Sequence, residues 1–423
     1  MTRKTRFAGI VVAALLLLPA SASAGTIGFA LTGSLGIDRD SPVAAELPDG
    51  RVLVAGGLSG GSNYLDTAEV FNPVTASFSP LTATMVHKRY AAAVAPLGDG
   101  RILIAGGYNG TTDQKTAEVF DPKTNSFSAI ASMSTGRSYA LGAPLPDGRV
   151  LVVGGAGSGT DSHTGEIYDP ATNTWSASGS MGSARTAAAG AALPDGRVLV
   201  AGGYAGFNDL ASAEIYSPQT NSFTPTGSMT HIREFAGGAP LPDGRVLIAG
   251  GYDGSDDLNT AEAFDSKSGT FSSSGIGTLV RAREDPAAAP LASGQVLVAA
   301  GYHGIPLRTA ELFAVPNTFT TSVKGTTLIL HVSSTGSVSV TNSTGKAGKS
   351  AAVEAKKKTK KLIKTSKGKG GPGKIKVKLK LLGPARSKLA QKGKLKLKVA
   401  IAFTPSSGFT NTQTTKLKLK AKR

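Results

Sequence analysis

The feature that most constrains this chain is repetition. The segment Leu47-Pro-Asp-Gly-Arg-Val-Leu-Val-Ala-Gly-Gly57 returns in versions that begin at Leu97, Leu145, Leu193, Leu241 and Leu291, at spacings of 50, 48, 48, 48 and 50 residues. Each copy is followed by a second signature: Thr67-Ala-Glu-Val-Phe, Thr116-Ala-Glu-Val-Phe, Thr164-Gly-Glu-Ile-Tyr, Ser212-Ala-Glu-Ile-Tyr, Thr260-Ala-Glu-Ala-Phe and Thr309-Ala-Glu-Leu-Phe. An aromatic comes next in Phe78, Phe127, Trp175, Phe223 and Phe271. Six copies in register imply one supersecondary unit used six times.

Local chemistry reads each unit as strands. Val-Leu-Val-Ala is a short continuous apolar run, as expected of a strand buried on both faces. The Asp-Gly before it is a hairpin turn, and the paired glycines after it permit a sharp exit. Paired glycines, then a tyrosine-like and a tryptophan-like position, at a period near 50, resemble the kelch repeat. The resemblance covers roughly residues 25–315 and implies one four-stranded blade per repeat, hence a six-bladed β-propeller. The triplets Ala91-Ala-Ala, Ala187-Ala-Ala and Ala287-Ala-Ala suggest helix by propensity. In a propeller, small side chains suit the crowded innermost strand, so these are read as strands. Thr26–Leu35 matches Asn221–Met229 and lacks the strands that should precede it. It is expected to close the ring as the outer strand of the sixth blade, removing an exposed edge.

After Pro316 the period stops and the composition shifts to Lys, Ser, Thr and Gly. Lys374–Lys380, Lys394–Val399 and Lys416–Lys420 alternate lysine with aliphatic residues, the pattern of half-buried antiparallel strands. Thr326–Val332 and Val338–Thr341 add strands, Pro384–Gln391 is a short helical link, and Lys356–Lys369 is expected as a loop. The count suggests an immunoglobulin-like sandwich, and it resembles lysine-rich β-sandwich modules at the C-termini of secreted bacterial proteins. The fold expected is therefore all-β: residues 25–316 a six-bladed kelch-type propeller, and residues 317–423 a small basic Ig-like β-sandwich.

Charge follows the same division. From residue 321 onward 26 lysines and arginines stand against one acid, Glu354, a net +25, whereas residues 1–320 carry −7. Residues 1–24 combine Arg3, Lys4 and Arg6, the apolar run Phe7–Leu18 and Ala22-Ser23-Ala24, which reads as a cleavable export signal. The apolar run is too short for a membrane span, so a secreted or envelope-associated protein is expected. The absence of cysteine excludes disulfides, thiolate nucleophiles and Cys-ligated metal. It also excludes the Tyr–Cys cross-link that copper radical oxidases resembling galactose oxidase require. Sialidase-type Ser-x-Asp-x-Gly-x-Thr-Trp repeats are missing, while a kelch-type sugar isomerase, such as the periplasmic sialic acid mutarotases, stays open.

Residues that recur once per repeat form rings. Arg39, Arg89, Arg137, Arg185, Arg233 and Arg283 each precede the opening Leu by eight residues, and Glu69, Glu118, Glu166, Glu214, Glu262 and Glu311 form a second set of six. The arginines are either a cationic ligand-binding ring or one half of Arg–Glu brackets between blades; equal numbers in equal register favour brackets. A ligand site should break the symmetry. The next positions do so: Asp40, Tyr90, Ser138, Thr186, Glu234 and Glu284. Tyr108, Tyr204, Tyr252 and Tyr302, which follow the paired-glycine position, are further binding candidates. Glu234, Glu284 and His231 are the candidate acid–base group for sugar chemistry. Asp253, Asp256 and Asp257 share a loop, a sparse donor set for calcium; no metal and no cofactor are expected.

These readings predict a non-catalytic binding protein whose propeller recognises carbohydrate or protein, while basic residues 346–423 associate with anionic cell-wall polymer. The alternative is a carbohydrate-active enzyme, an isomerase or hydrolase, with its site at the propeller mouth. Nucleic acid is not expected, because the tail has only Phe403 and Phe409 for stacking.

Overall fold

In a computed structural model, the described residues are 28–314 apart from 61, 158–159 and 207, and then, in the C-terminal region, 320–324, 327–332, 336–342, 363–364, 366–370, 373–382, 385, 387, 389, 391, 394–405 and 411–420. Residues 1–24, the expected export signal, lie outside them.

Six four-stranded antiparallel sheets form the body. Blade 1 runs from the axis outward as Val43–Glu46, Val52–Ala55, Ala68–Asn72 and Ser77–Pro80. Blades 2 to 5 repeat this order and begin with the inner strands Ala93–Pro96, Leu141–Pro144, Ala189–Ala192 and Gly237–Pro240. Blade 6 takes Ala287–Pro290, Gln295–Ala299 and Ala310–Ala314 from the last repeat, and Gly28–Leu31 from the start of the described chain. Of the alanine triplets, Ala287–Ala289 lies wholly in an inner strand, whereas only Ala93 and Ala189 of the other two do; Ala91, Ala92, Ala187 and Ala188 belong to the linkers that lead in. Gly28–Leu31 lies antiparallel to Ala310–Ala314 with Phe29 opposite Phe313. That is the expected ring closure, and Phe29 packs on Phe313 at 4.8 Å between ring centroids, as Phe71 packs on Phe78 at 4.9 Å.

The core sits between blades rather than within one. Val52, Leu53 and Val54 are fully buried because each face of their sheet meets a neighbour. Leu53, Ala55 and Val70 of blade 1 pack with Ile102, Ile104 and Phe120 of blade 2, and the same arrangement joins blade 6 to blade 1 through Leu297, Ala299 and Val52. A fully buried Val or Leu contributes about 1.5–3 kcal/mol, so blade-to-blade packing is the main source of stability.

In the C-terminal region, Thr320–Lys324, Thr327–Val332 and Gly373–Lys378 form one sheet. Ser366–Gly370, Gly336–Asn342, Lys394–Pro405 and Asn411–Lys420 form another. One cluster of buried side chains draws on both, including Leu328, Val377, Val340, Val399 and Leu419. Ala385, Ser387, Leu389 and Gln391 are helical, as expected for the link. The loop expectation for Lys356–Lys369 needs correction: its end joins the strand Ser366–Gly370, paired with Gly336–Val340, while residues 356–362 lie outside the described set. Lys376, Lys378 and Lys380 are exposed and alternate with buried Val377, Leu379 and Leu381. Among the described residues no helix is long and apolar enough to cross a membrane.

Candidate functional site

The linker from each outer strand to the next inner strand carries three successive residues with three different duties. The first is the repeated arginine. Its main chain is held by one blade and its side chain by the next. Arg89 N–H donates to Leu65 O, and Arg89 O accepts from Gly57 N–H, both in blade 1. Its guanidinium donates to Gly106 O at 2.6 Å and Thr116 O at 2.9 Å, and pairs with Glu118 at 2.6 Å, all in blade 2. Arg39 performs the same duty at the seam, bonded through its main chain to Leu307 and Gly301 of blade 6 and through its side chain to Gly56 O and Glu69 of blade 1. All six pairs lie at 2.6–3.7 Å. The arginines are at most 2% exposed, so none offers its guanidinium to a ligand. The ligand-binding expectation for Arg39, Arg89, Arg137, Arg185, Arg233 and Arg283 gives way to the bracket reading, because a buried cation must be matched by acceptors.

The second residue pairs main chain to main chain with the one after the paired-glycine position. Asp40 meets Leu58, Tyr90 meets Tyr108, Ser138 meets Ala156, Thr186 meets Tyr204, Glu234 meets Tyr252 and Glu284 meets Tyr302. Thus Tyr108, Tyr204, Tyr252 and Tyr302 and the asymmetric residues occupy one end of the propeller. The third residue went unnoticed in the sequence. Ser41, Ala91, Tyr139, Ala187, Phe235 and Asp285 all take the left-handed conformation, with φ of 45–56°, a state that costs a non-glycine residue roughly 1–2 kcal/mol. Each N–H from Ala91 to Asp285 donates to the carbonyl of its equivalent in the preceding blade, so five hydrogen bonds run around the axis. This girdle turns the six side chains onto a small axial cavity of about 120 Å3. Below it opens a cavity of about 600 Å3 lined by the small residues of the inner strands.

The side chains divide the mouth in two. One arc is aromatic: Tyr64, Tyr90, Tyr108, Tyr139 and Phe235 contact one another edge to face at 5.1–6.1 Å, the Tyr139 hydroxyl donates to that of Tyr90, and Tyr90 donates to Asp40 at 3.5 Å. The other arc is acidic. Ser138 donates to Asp113 at 2.7 Å and Thr186 to Asp161 at 2.7 Å, each joining a blade to the one before it. Asp209 and Asp257 occupy the positions equivalent to Asp161 and Asp113, paired with Tyr204 and Tyr252. Their counterparts are not hydroxyls but Glu234 and Glu284.

Electrostatics follows from that exchange. Burial, then the charges of Asp209, Glu284 and Asp161, pushes the Glu234 carboxyl up to about 7. Burial, then Asp257 and Asp40, does the same for Glu284, also to about 7. Asp40 rises to about 6, by burial partly offset by hydrogen bonds from Ser41 and Tyr90. Asp285 is held well above the carboxylate range by burial and by Asp40 and Glu284. The charge of Glu284 therefore reaches Glu234, but His231 does not join them. Its ring is 59% exposed and lies 3.7 Å from Glu262, the bracket acid. The histidine that does reach this arc is His303, with Nδ1 2.7 Å from Asp257 Oδ2. Asp253 spends one carboxylate oxygen on the N–H groups of Ser255 and Asp256, and among the described residues no group of three or more His, Asp or Glu is placed to hold a metal.

A family model described as the Kelch motif matches residues 41–84, 89–134, 137–182, 185–230 and 238–274. The chain is a kelch-repeat protein. Those matches span more than half of it, and the sixth repeat lies beyond them. Among solved structures, the kelch chain described here is similar to a "novel fungal alcohol oxidase with catalytic diversity among the AA5 family, in complex with copper", with a TM-score of 0.54 and 16% identity over 94% of this chain and all of that one. It is similar also to YjhT, with a TM-score of 0.56 and 14% identity over 70% of this chain and 98% of that one. At such identities the likeness shows the fold alone. No curated protein matches.

Proposed function

We propose that this kelch propeller is an exported binding protein that takes a carbohydrate at the asymmetric mouth, and that its lysine-rich C-terminal region holds it to an anionic envelope polymer. The observation that carries the first half is the break in six-fold symmetry. Six linkers could have repeated one polar residue, as the brackets do. Instead the mouth sets an aromatic arc against an acidic one around an axial opening. Aromatic rings offer flat apolar faces for sugar C–H groups, and fixed carboxyls accept from hydroxyls, the usual composition of an oriented polar-ligand site. In this reading Glu234, Glu284, Tyr108 and Tyr252 contact the ligand.

The second half is supported by register. Lys394, Lys396 and Lys398 stand directly opposite Lys420, Lys418 and Lys416. Like charges opposed across a pair of strands are destabilising, and a polyanion relieves them. The shared core of the two sheets supports an Ig-like sandwich here. The apolar run and small-x-small site of residues 1–24 support export.

A broad glycan array with the full-length protein tests the mouth. Saturable binding that Glu284→Gln and Tyr108→Ala weaken at least tenfold is expected; binding indifferent to both variants would end this reading. For the C-terminal region, retention on anionic wall polymer should fall steeply with salt and be lost when the six opposed lysines become glutamine. A catalytic reading draws on one observation, two carboxyls at the mouth each raised to about 7, which suits general acid–base work on a sugar near neutral pH. Anomeric exchange of a bound sugar, followed by NMR, decides it.

A further inference from the structure

Counting donors against acceptors around the acidic arc gives an unbalanced sum. From blade 4 round to blade 1 the mouth presents Asp209, Glu234, Asp257, Glu284, Asp285 and Asp40. Among the described side chains, the donors to them are Ser41 and Tyr90 at Asp40 and His303 at Asp257, with Ser41 also reaching Asp285. The six linker arginines cannot help, since each is consumed in a bracket. Glu234 is the sharpest case. It is only 8% exposed, senses Asp209, Glu284 and Asp161, and its carboxyl takes no hydrogen bond from the described residues. Its equivalent in blade 4, Thr186, donates a hydrogen bond to the facing acid. The side chain is packed in while its carboxyl oxygens stay open to the mouth with no donor among the described residues, and two neighbouring linkers repeat the same exchange.

Resting on the carbohydrate reading of the mouth, we infer that its ligand is a saccharide carrying a free primary amine, with the ammonium seated among Glu234, Asp209, Glu284 and Asp257. An ammonium brings three N–H donors and a positive charge, enough to bridge two facing carboxyls, which a neutral hydroxyl with one donor cannot do. The adjoining aromatic arc favours the same ligand twice, since ring faces accept both sugar C–H groups and cations. N-acetylation removes the charge and two of the donors, so an acetylated sugar of the same length should lose the acidic arc and keep only the aromatic one.

The test is calorimetric titration of the full-length protein with a β-1,4-linked glucosamine tetramer, its N-acetylated counterpart and, as a sugar-free amine, 1,4-diaminobutane. The glucosamine tetramer is expected to bind at least tenfold more tightly than the acetylated one. Glu234→Gln and Glu284→Gln should each cut that preference to within about twofold, with Asp209→Asn as a second variant should either glutamine substitution disturb folding, as judged by thermal melting. Equal affinity for the two tetramers, or a preference the variants leave intact, overturns the amine inference and leaves the carbohydrate reading standing. Binding of 1,4-diaminobutane alone, lost in the same variants, upholds the ammonium subsite and removes the carbohydrate reading. Failure of all three to bind overturns the inference.

Discussion

Two adjacent residues in every linker have opposite fates. The arginines Arg39 to Arg283 are alike in all six blades, at most 2% exposed, and used up in joining one blade to the next. The residues that follow them, from Asp40 to Glu284, differ in all but two of the blades and surround the mouth. Uniformity belongs to what every blade interface needs. Variation belongs to what only a single ligand, itself without six-fold symmetry, needs. The contrast sharpens further within the mouth, where blades 3 and 4 set a hydroxyl against a carboxyl and blades 5 and 6 set a carboxyl against a carboxyl.

The largest effect should come from breaking a bracket. Removing one partner of a buried ion pair costs about 3–5 kcal/mol, so Arg89→Ala and Arg283→Ala should lower the melting temperature by on the order of 10 °C. Arg39→Ala should do the same at the seam between blades 6 and 1. A loss below about 1 kcal/mol in calorimetry would mean that the brackets are no more than surface-strength pairs and would erase the contrast.

Next in size is the pH response of the mouth. Glu234, Glu284 and Asp40 hold their protons to about 7, 7 and 6 in the folded protein, above the ordinary carboxylate range, facing Asp209, Asp161, Asp257 and each other. The folded state therefore binds more protons than the unfolded chain between the ordinary carboxylate range and about 7. Its stability must be highest on the acid side of that window and fall as pH rises through it. Thermal melts should show this slope, and Glu234→Gln with Glu284→Gln should flatten it. In the same window, affinity for 1,4-diaminobutane should rise with pH, because its aliphatic amines stay charged while the carboxyls lose protons.

A smaller effect is expected where the mouth is already satisfied. Ser138→Ala leaves Asp113 without its donor and should cost about 1 kcal/mol, with no gain in amine binding. Ser138→Glu converts blade 3 to the pattern of blades 5 and 6, and should reproduce there the falling stability with rising pH. If the melts of Ser138→Glu are insensitive to pH, the opposed carboxyls are not the cause of the slope. The smallest effect should be Phe29→Leu, which keeps most of the apolar burial. It removes one ring pair of the closing strand, a contact worth about 0.5–1.5 kcal/mol beyond area burial, visible as a modest drop in denaturant midpoint.

Much of the architecture was legible along the chain. The 48- to 50-residue period, the Val-Leu-Val-Ala runs and the Asp-Gly turns sufficed for blades, and the orphan match at Thr26–Leu35 sufficed for closure. The brackets were legible too, because six arginines and six glutamates in one register have nowhere else to go. The mouth was legible in part. Glu234 and Glu284 stood out as breaks in a repeat, and the charge of Glu284 does reach Glu234. His231 was drawn in by its nearness in sequence, yet the linker carries it to the rim, against Glu262. Asp285, Tyr139 and Phe235 were overlooked, since nothing in a residue's identity announces a left-handed backbone at a non-glycine position.

By itself, then, the amino-acid order determined everything that recurs, because a repeated residue meets the same neighbour in every blade and its partner can be found at a constant offset. Only the tertiary structure decided which of the unrepeated residues share a site. Glu234 and Asp209, or His303 and Asp257, are brought together across two blades by the packing of adjacent blades. The left-handed girdle then turns one residue of each linker to the axis while its predecessor faces the mouth, a choice made by backbone hydrogen bonds between blades that no single repeat contains.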